Sequence, residues 1–174
     1  MPDVRSHFDP GRSDYGMNRL FPSSLAPNLA ALLPMQPLRF NGPTLASGAT
    51  VLYLMLITVR SLLHLLLPDG GAQSIATIDT SGASGANIIA LFGQWGAIQL
   101  LLATLLWVLI LRYPGFIPLA LLVFALEPFA RGLAGHLKPV ATVGTAPGAA
   151  LNWVVVPGLL FLLWLSLCPA SPRT

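Results

Sequence analysis

One stretch of the chain, residues 88–126, decides the fold: IIALFGQWGAIQLLLATLLWVLILRYPGFIPLALLVFAL. Residues 88–111 are almost wholly apolar and, at about 1.5 Å per helical residue, are long enough to cross a hydrocarbon core of about 30 Å. A second apolar run begins at residue 116, directly after the turn Arg112-Tyr113-Pro114-Gly115. So short a turn makes the two runs antiparallel, and the stretch therefore predicts a membrane-spanning helical hairpin.

The composition places the whole chain in the class of integral membrane proteins. Of its 174 residues, 55% are hydrophobic and 9% are charged, and the mean hydropathy of +0.74 is far above that of a soluble domain. The net charge of +3 comes from scattered arginines. No cluster of Lys or Arg alternates with aromatic residues, which excludes nucleic acid as a partner. The single Cys168 excludes an internal disulfide and a cysteine-built metal site.

Further apolar runs on both sides of the hairpin complete a set of four predicted spans. These are residues 48–67, 88–111, 116–133 and 149–167, the last of them interrupted by Pro157-Gly158. We therefore expect an all-α fold. Residues 43–168 are predicted to form a four-transmembrane-helix bundle in contact with the lipid bilayer, and residues 169–174 a short C-terminal tail.

The segment before the spans, residues 1–42, is rich in proline and has no cleavable signal pattern. Its apolar residues lack the periodicity of a helix or a strand, so we expect an irregular N-terminal arm. Residues 25–35 form a weak apolar patch in this arm. The patch indicates either a short interfacial helix or a segment that docks on a partner.

The arginines outside the predicted spans all lie on one side of the bundle: Arg5, Arg12, Arg19, Arg39, Arg112 and Arg173. The opposite loops, residues 68–87 and 134–148, contain Lys138 as their only Lys or Arg. By the positive-inside bias, the arginine-rich side is cytoplasmic. We therefore expect both termini in the cytoplasm, and the richness in Ala, Gly, Pro and Arg favours a bacterial inner membrane.

Strongly polar residues inside the spans gather near the outer end of the predicted bundle: Arg60, His64, Gln94, Glu127, Arg131 and Asn152. Gln99 lies deeper. At about 1.5 Å per residue, the layer lies roughly 10 Å below the outer surface. Each ionisable side chain in hydrocarbon costs at least about 2.5 to 3.5 kcal/mol, so it persists only beside partners, water or a ligand. We take these six residues as candidates for a ligand-binding site that opens outward.

Three interpretations of this layer remain open. Glu127 and Arg131 have the four-residue spacing of an intrahelical ion pair, and Arg60 adds a second cation, so the layer can be a structural network that fixes helix register. It can instead be a binding or catalytic pocket, or a path for protons or ions. The surplus of arginine over glutamate favours an anionic or carbonyl-rich ligand head, such as that of a bound quinone or lipid. A metal site is not expected, because His64 and His136 lack ligand spacing.

The arrangement also resembles a known family. Arg60 and His64 late in the first span, a loop of about twenty residues, Gly93-Gln94-Trp95-Gly96-Ala97 opening the second span and a charged third span are similar to the DoxX-like small four-helix bacterial membrane proteins. The resemblance covers residues 46–167. It implies the four-helix fold and, for some members, an association with oxidoreductases. Family members commonly carry a carboxylate near the start of the second span, where this chain has Gln94.

For the function, we expect an accessory or assembly subunit of a larger membrane complex. Such a subunit would dock on other membrane-protein subunits through its bundle surface and its N-terminal arm. The alternative is a small-molecule pocket protein, or an enzyme, that acts on a lipophilic ligand such as a quinone, an isoprenoid or a lipid. The sequence names no catalytic residue.

Overall fold

The structure is a computed structural model in which residues 20–170 are described. This part of the chain forms four α-helices and contains no strand. The helices are α1 (Thr44–Leu66), α2 (Gly85–Arg112), α3 (Ile117–Leu137) and α4 (Pro147–Leu167). All four are long and apolar enough to cross a membrane. The predicted all-α, four-helix membrane fold is therefore confirmed.

The helix boundaries differ from the predicted spans in two instructive places. Helix α1 begins at Thr44, directly after Pro43 at its N-cap, and so starts before the long apolar run does. Proline suits a helix start because its missing N–H group would have no intrahelical partner there. Pro157 lies inside α4, which continues to Leu167 without the interruption that we expected. Transmembrane helices tolerate such a proline when their surroundings compensate for the lost hydrogen bond.

The helices pack as two close pairs, α1 with α2 and α3 with α4. At the α1–α2 contact, Gly96 is buried against the backbone of α1 around His64 and Leu65. A side-chain hydrogen bond from Trp107 Nε1 to Thr58 Oγ1, 3.1 Å long, joins the same two helices. One core then unites the pairs through buried residues that include Leu54, Leu106, Leu121, Phe124 and Leu159. Outward-facing leucines of all four helices remain exposed, as a lipid-contacting surface requires.

The outer loop between α1 and α2 folds around the carboxylate of Asp69. This group accepts hydrogen bonds from the backbone N–H groups of Gly71, Gln73 and Ser74, at 2.9, 3.2 and 2.7 Å. Hydrogen bonds from Ser74 and then Gly71 lower the pKa of Asp69 to about 2, because they stabilise the charged form. Gly70 and Gly71 have φ angles of 59° and 72°, a region that glycine enters without strain. The loop is therefore a defined turn.

The described part of the arm, residues 20–42, lies against the ends of α3 and α4. Backbone N–H groups of Ser23 and Asn28 donate to the carbonyls of Pro169 and Leu167, at 3.0 and 2.9 Å. The only helix in this segment is the single 3₁₀ turn Leu29–Leu32. The described part of the arm is thus irregular, as predicted. Its single 3₁₀ turn lies within the apolar patch at residues 25–35. Residues 1–19 of the predicted arm lie outside the described residues, as do residues 171–174 of the tail.

The close approach of α1 and α2 at Gly96 can be tested against a neighbouring glycine. A Cβ atom at Gly96 would lie 2.7 Å from the Leu65 nitrogen and 2.8 Å from His64 Cβ, whereas one at Gly93 would meet nothing within 4 Å. Gly96→Ala should therefore destabilise the bundle by about 1 to 3 kcal/mol through overpacking. Gly93→Ala should be neutral or stabilise by up to about 1 kcal/mol through helix propensity. Unfolding in mixed detergent micelles measures both, and equal losses would contradict this packing.

Candidate functional site

A line of polar contacts crosses the bundle and touches all four helices. Its centre is Glu127 on α3, whose carboxylate lies 3.7 Å from Arg60 Nη2 and 3.3 Å from Arg131 Nη2. We call this set the polar cluster: Arg60, Gln99, Glu127, Arg131 and Asn152. Because its members come from α1, α2, α3 and α4, the polar cluster joins the two helix pairs to each other.

Side-chain amides complete the polar cluster at both ends. Arg60 Nη2 donates to Gln99 Oε1 at 3.2 Å, which links α1 to α2. Arg131 Nη2 donates to Asn152 Oδ1 at 3.2 Å, which links α3 to α4. The Nη2 atom of each arginine therefore contacts both the shared carboxylate of Glu127 and an amide on the other helix of its own pair. Hydrogen bonds that involve a charged group are stronger than neutral ones, especially where water is scarce.

The charges of the polar cluster do not balance. Two arginines contact one glutamate, which leaves a surplus positive charge. The side chains of Arg60, Arg131 and Glu127 are 31%, 34% and 36% exposed, so about a third of the surface of each side chain is accessible. An anionic or carbonyl-bearing group outside the bundle therefore has access to the arginines.

Four of the six candidate residues meet in the polar cluster: Arg60, Glu127, Arg131 and Asn152. His64 lies one turn beyond Arg60 and is only 3% exposed, with Nδ1 2.8 Å from the Gly70 carbonyl oxygen. A carbonyl can only accept a hydrogen bond, so Nδ1 is the donor. The His64 ring also contacts the rings of Phe92 and Trp95. His64 therefore holds the outer loop on α1 and lies beside the polar cluster.

Of the two glutamines on α2, it is Gln99 and not the expected Gln94 that belongs to the polar cluster. Gln94 is exposed near the start of α2, whereas Gln99 reaches Arg60. The difference follows from helix rotation, since the buried face of α2 includes Gly96 and Ala103, and Gln99 lies between them on that face. In the sequence, the small residues Gly96 and Ala103 mark the face of α2 that packs against other helices, and Gln99 lies on that face.

A cavity of ≈ 50 Å³ lies beside the polar cluster, between α1, α2 and α3. Arg60, Gln99 and Glu127 line its polar end. Tyr53 and Leu106 lie two helical turns further along α1 and α2, so the cavity extends from the charges toward the middle of the bundle. The rest of its lining is apolar: Ile57, Leu102, Ala103, Val123 and Phe124. The site thus has a cationic head and an apolar body.

Arg60 has an unused donor at this site. Its Nε atom is buried and has no hydrogen-bond partner anywhere in residues 20–170. The guanidinium carbon of Arg60 lies 5.6 Å from the centre of the Trp95 ring, a cation–π distance. A buried donor without a partner costs about 1 to 3 kcal/mol.

The side chains of the polar cluster suit an oxygen-bearing ligand better than a metal ion. In the described part of the chain, no group of three or more His, Cys, Asp or Glu side chains is placed to hold a metal ion. Guanidinium groups supply donors alone, and they match the geometry of carboxylates, phosphates and carbonyl oxygens. Comparisons with protein-family models, with curated proteins and with solved structures found no match.

The position of Glu127 between two arginines predicts unequal effects of mutation. Glu127→Gln leaves Arg60 and Arg131 without a counter-charge, whereas Arg60→Gln leaves Glu127 paired with Arg131. We expect Glu127→Gln to cost about 2 to 3 kcal/mol, below the about 3 to 5 kcal/mol of a fully buried pair because these side chains are part exposed. Arg60→Gln should cost less than half as much.

The measurement is the melting temperature in detergent, with Asp79→Asn in the outer loop as a control that also removes one carboxylate. A loss for Arg60→Gln as large as that for Glu127→Gln would contradict the assignment of Glu127 as the shared counter-charge.

Proposed function

We propose that this protein is an integral membrane protein that binds a lipophilic small molecule, with the polar head of that molecule at the polar cluster. The observation that supports the proposal most directly is that Arg60, one of two arginines that share a single glutamate, lines the polar end of a cavity whose other walls are largely apolar. Such a site offers a hydrogen-bond donor and a positive charge to the head, and hydrocarbon contact to the rest.

Charge and position narrow the ligand class. The surplus positive charge of the polar cluster favours an anionic or carbonyl oxygen over a cation. Leu102 of α2 and Val123 of α3 line the cavity and are 47% and 36% exposed. The cavity therefore opens sideways between α2 and α3, toward the lipid. A quinone, an isoprenoid or a lipid suits this arrangement, because a single carbonyl or anionic oxygen of its head can approach Arg60 while the rest of the molecule stays in the bilayer.

A second function is supported by the arm. Large apolar side chains in its described part are exposed: Leu20, Phe21, Leu25, Leu29 and Leu33. An apolar surface of this kind at the end of a membrane bundle suits contact with another membrane-protein subunit. We therefore propose an accessory or assembly role in a larger membrane complex as the second candidate. In either role, the one-sided distribution of arginine supports a location of both termini in the cytoplasm, and the richness in Ala, Gly, Pro and Arg supports a bacterial inner membrane.

The ligand proposal predicts that a small molecule co-purifies with the protein and depends on Arg60. Protein extracted from native membranes in mild detergent should carry a quinone, isoprenoid or lipid that mass spectrometry of the organic extract detects. Arg60→Gln should reduce its occupancy at least about tenfold, since one hydrogen bond to a charged group is worth about 1.5 to 3 kcal/mol. Gln94→Ala, which changes an exposed amide near the same end of α2, should leave occupancy unchanged.

Two outcomes would contradict the ligand proposal. One is a parent protein with no bound small molecule above the level of bulk lipid. The other is an equal loss of occupancy in Arg60→Gln and Gln94→Ala. A second protein that co-purifies at fixed stoichiometry, without any small molecule, would favour the accessory role instead.

A further inference from the structure

A second positively charged site lies at the opposite end of the helices. Residues 35–39 of the arm and the end of α2 enclose an open concavity of ≈ 640 Å³. Arg39 lines it from the arm, and Arg112 and Tyr113 line it from α2 and the following turn. At about 1.5 Å per residue, Arg112 lies roughly 20 Å along α2 from Gln99. The concavity is therefore separate from the polar cluster, and we call it the arginine concavity.

The arginine concavity has no counter-charge in the described chain. The acidic residues between positions 20 and 170 are Asp69, Asp79 and Glu127. The first two lie in the outer loop, and the third is in the polar cluster. Both Arg39 and Arg112 are exposed, and over the described range neither guanidinium group makes a hydrogen bond or an ion pair with protein. Two positively charged side chains therefore line one concavity that has no carboxylate from residues 20–170.

The position of each arginine leaves its donors available. The guanidinium carbon of Arg112 lies 5.6 Å from the centre of the Tyr113 ring. Stacking of this kind occupies the face of the guanidinium plane and leaves the N–H groups at its edge free for an oxyanion. The C-terminal carbonyls of α2 also favour a cation at Arg112. That interaction does not account for Arg39, which lies in the arm.

The backbone holds the two arginines in fixed relation. The N–H group of Gly115, in the turn after α2, donates to the Pro37 carbonyl at 2.8 Å. A Cβ atom at Gly115 would lie 2.8 Å from that oxygen and 3.0 Å from the Arg39 carbonyl oxygen. The arm therefore packs directly on the turn, at a contact that only glycine permits. A site that is already formed loses less entropy when it binds.

Apolar side chains surround the charges. Met35 and Leu38 of the arm are 98% and 58% exposed, and Leu111, the residue before Arg112, is 73% exposed. Helix α2 is apolar up to this point, so the concavity lies at the level where hydrocarbon meets water. A soluble anion would use the arginines alone. An amphiphile uses the arginines for its head and the apolar rim for its chains.

We propose that the arginine concavity binds the phosphate headgroup of an anionic phospholipid from the leaflet on the arm side of the membrane. Arg39 and Arg112 donate hydrogen bonds to the phosphate oxygens, and Met35, Leu38 and Leu111 contact the acyl chains. Basic sites at this depth attract anionic lipids because the interface carries their negative charge. The bound lipid would also hold the arm to the bundle, since its two donors come from both.

Native mass spectrometry of the full-length protein in detergent tests this site. The protein is titrated with phosphatidylglycerol and, in parallel, with phosphatidylcholine of the same acyl chains. Phosphatidylglycerol should bind about tenfold more tightly, and Arg39→Gln or Arg112→Gln should each remove most of that preference, because each removes a charge-assisted hydrogen bond. Lys138→Gln, which removes one positive charge on the opposite side, should keep the full preference. The melting temperature of lipid-free Arg39→Gln should match the parent, since the Arg39 guanidinium has no protein partner within residues 20–170. That of Arg112→Gln should fall only slightly, because this variant loses the contact with the Tyr113 ring and the interaction with the end of α2.

Several outcomes would overturn the proposal. Equal binding of the two lipids would show that the headgroup charge is not recognised. An equal loss in Lys138→Gln would show that only net charge matters. Inorganic phosphate added to the phosphatidylglycerol complex should leave the lipid bound, and its displacement by phosphate alone would show a site for soluble anions. Because the polar cluster can also attract an anionic headgroup, the titrations are repeated with Arg60→Gln. This variant should keep the preference for phosphatidylglycerol, and its loss there would place the headgroup at the polar cluster and contradict the proposal.

Discussion

The ion pair between Arg60 and Glu127 is the contact on which the arrangement of the two helix pairs depends. Each pair packs closely within itself, and fewer contacts join one pair to the other. In hydrocarbon, apolar side chains gain little by preferring one another over lipid, so apolar packing alone specifies the relation of the pairs weakly. An ion pair between two helices, in contrast, forms in only a few of their relative positions. Arg60 and Glu127 thus select one rotation and one depth for α1 against α3.

The same ion pair underlies the proposal that the site binds a ligand. One carboxylate, that of Glu127, neutralises only one of the two arginine charges, so the polar cluster keeps a surplus positive charge. The Nε atom of Arg60 also has no hydrogen-bond partner among residues 20–170. A network that was built only for stability would be expected to satisfy each buried donor. Here Arg60, whose Nε is unsatisfied among residues 20–170, also lines a largely apolar cavity. Under the proposed function, one set of side chains has both a structural and a binding role.

The sequence predicts the helices well and their mutual rotation poorly. A span needs a long apolar run, so the four helices follow from the chain alone, and the spacing of Glu127 and Arg131 predicts their ion pair. Rotation depends on the partner helix, and for α2 it is set by Gly96 against α1. That rotation brings Gln99 to Arg60 and leaves Gln94 exposed. The contact of the arm with Gly115 uses backbone groups, which no side-chain pattern reveals.

A double-mutant cycle tests the central claim most directly. The free energy of unfolding would be measured by SDS titration in mixed micelles for the parent, Arg60→Gln, Glu127→Gln and the double variant. If the two side chains interact across the helix pairs, the double variant should lose less than the sum of the single losses, by at least about 1 kcal/mol. Losses that add within about 0.3 to 0.5 kcal/mol, as for independent sites, would contradict the account.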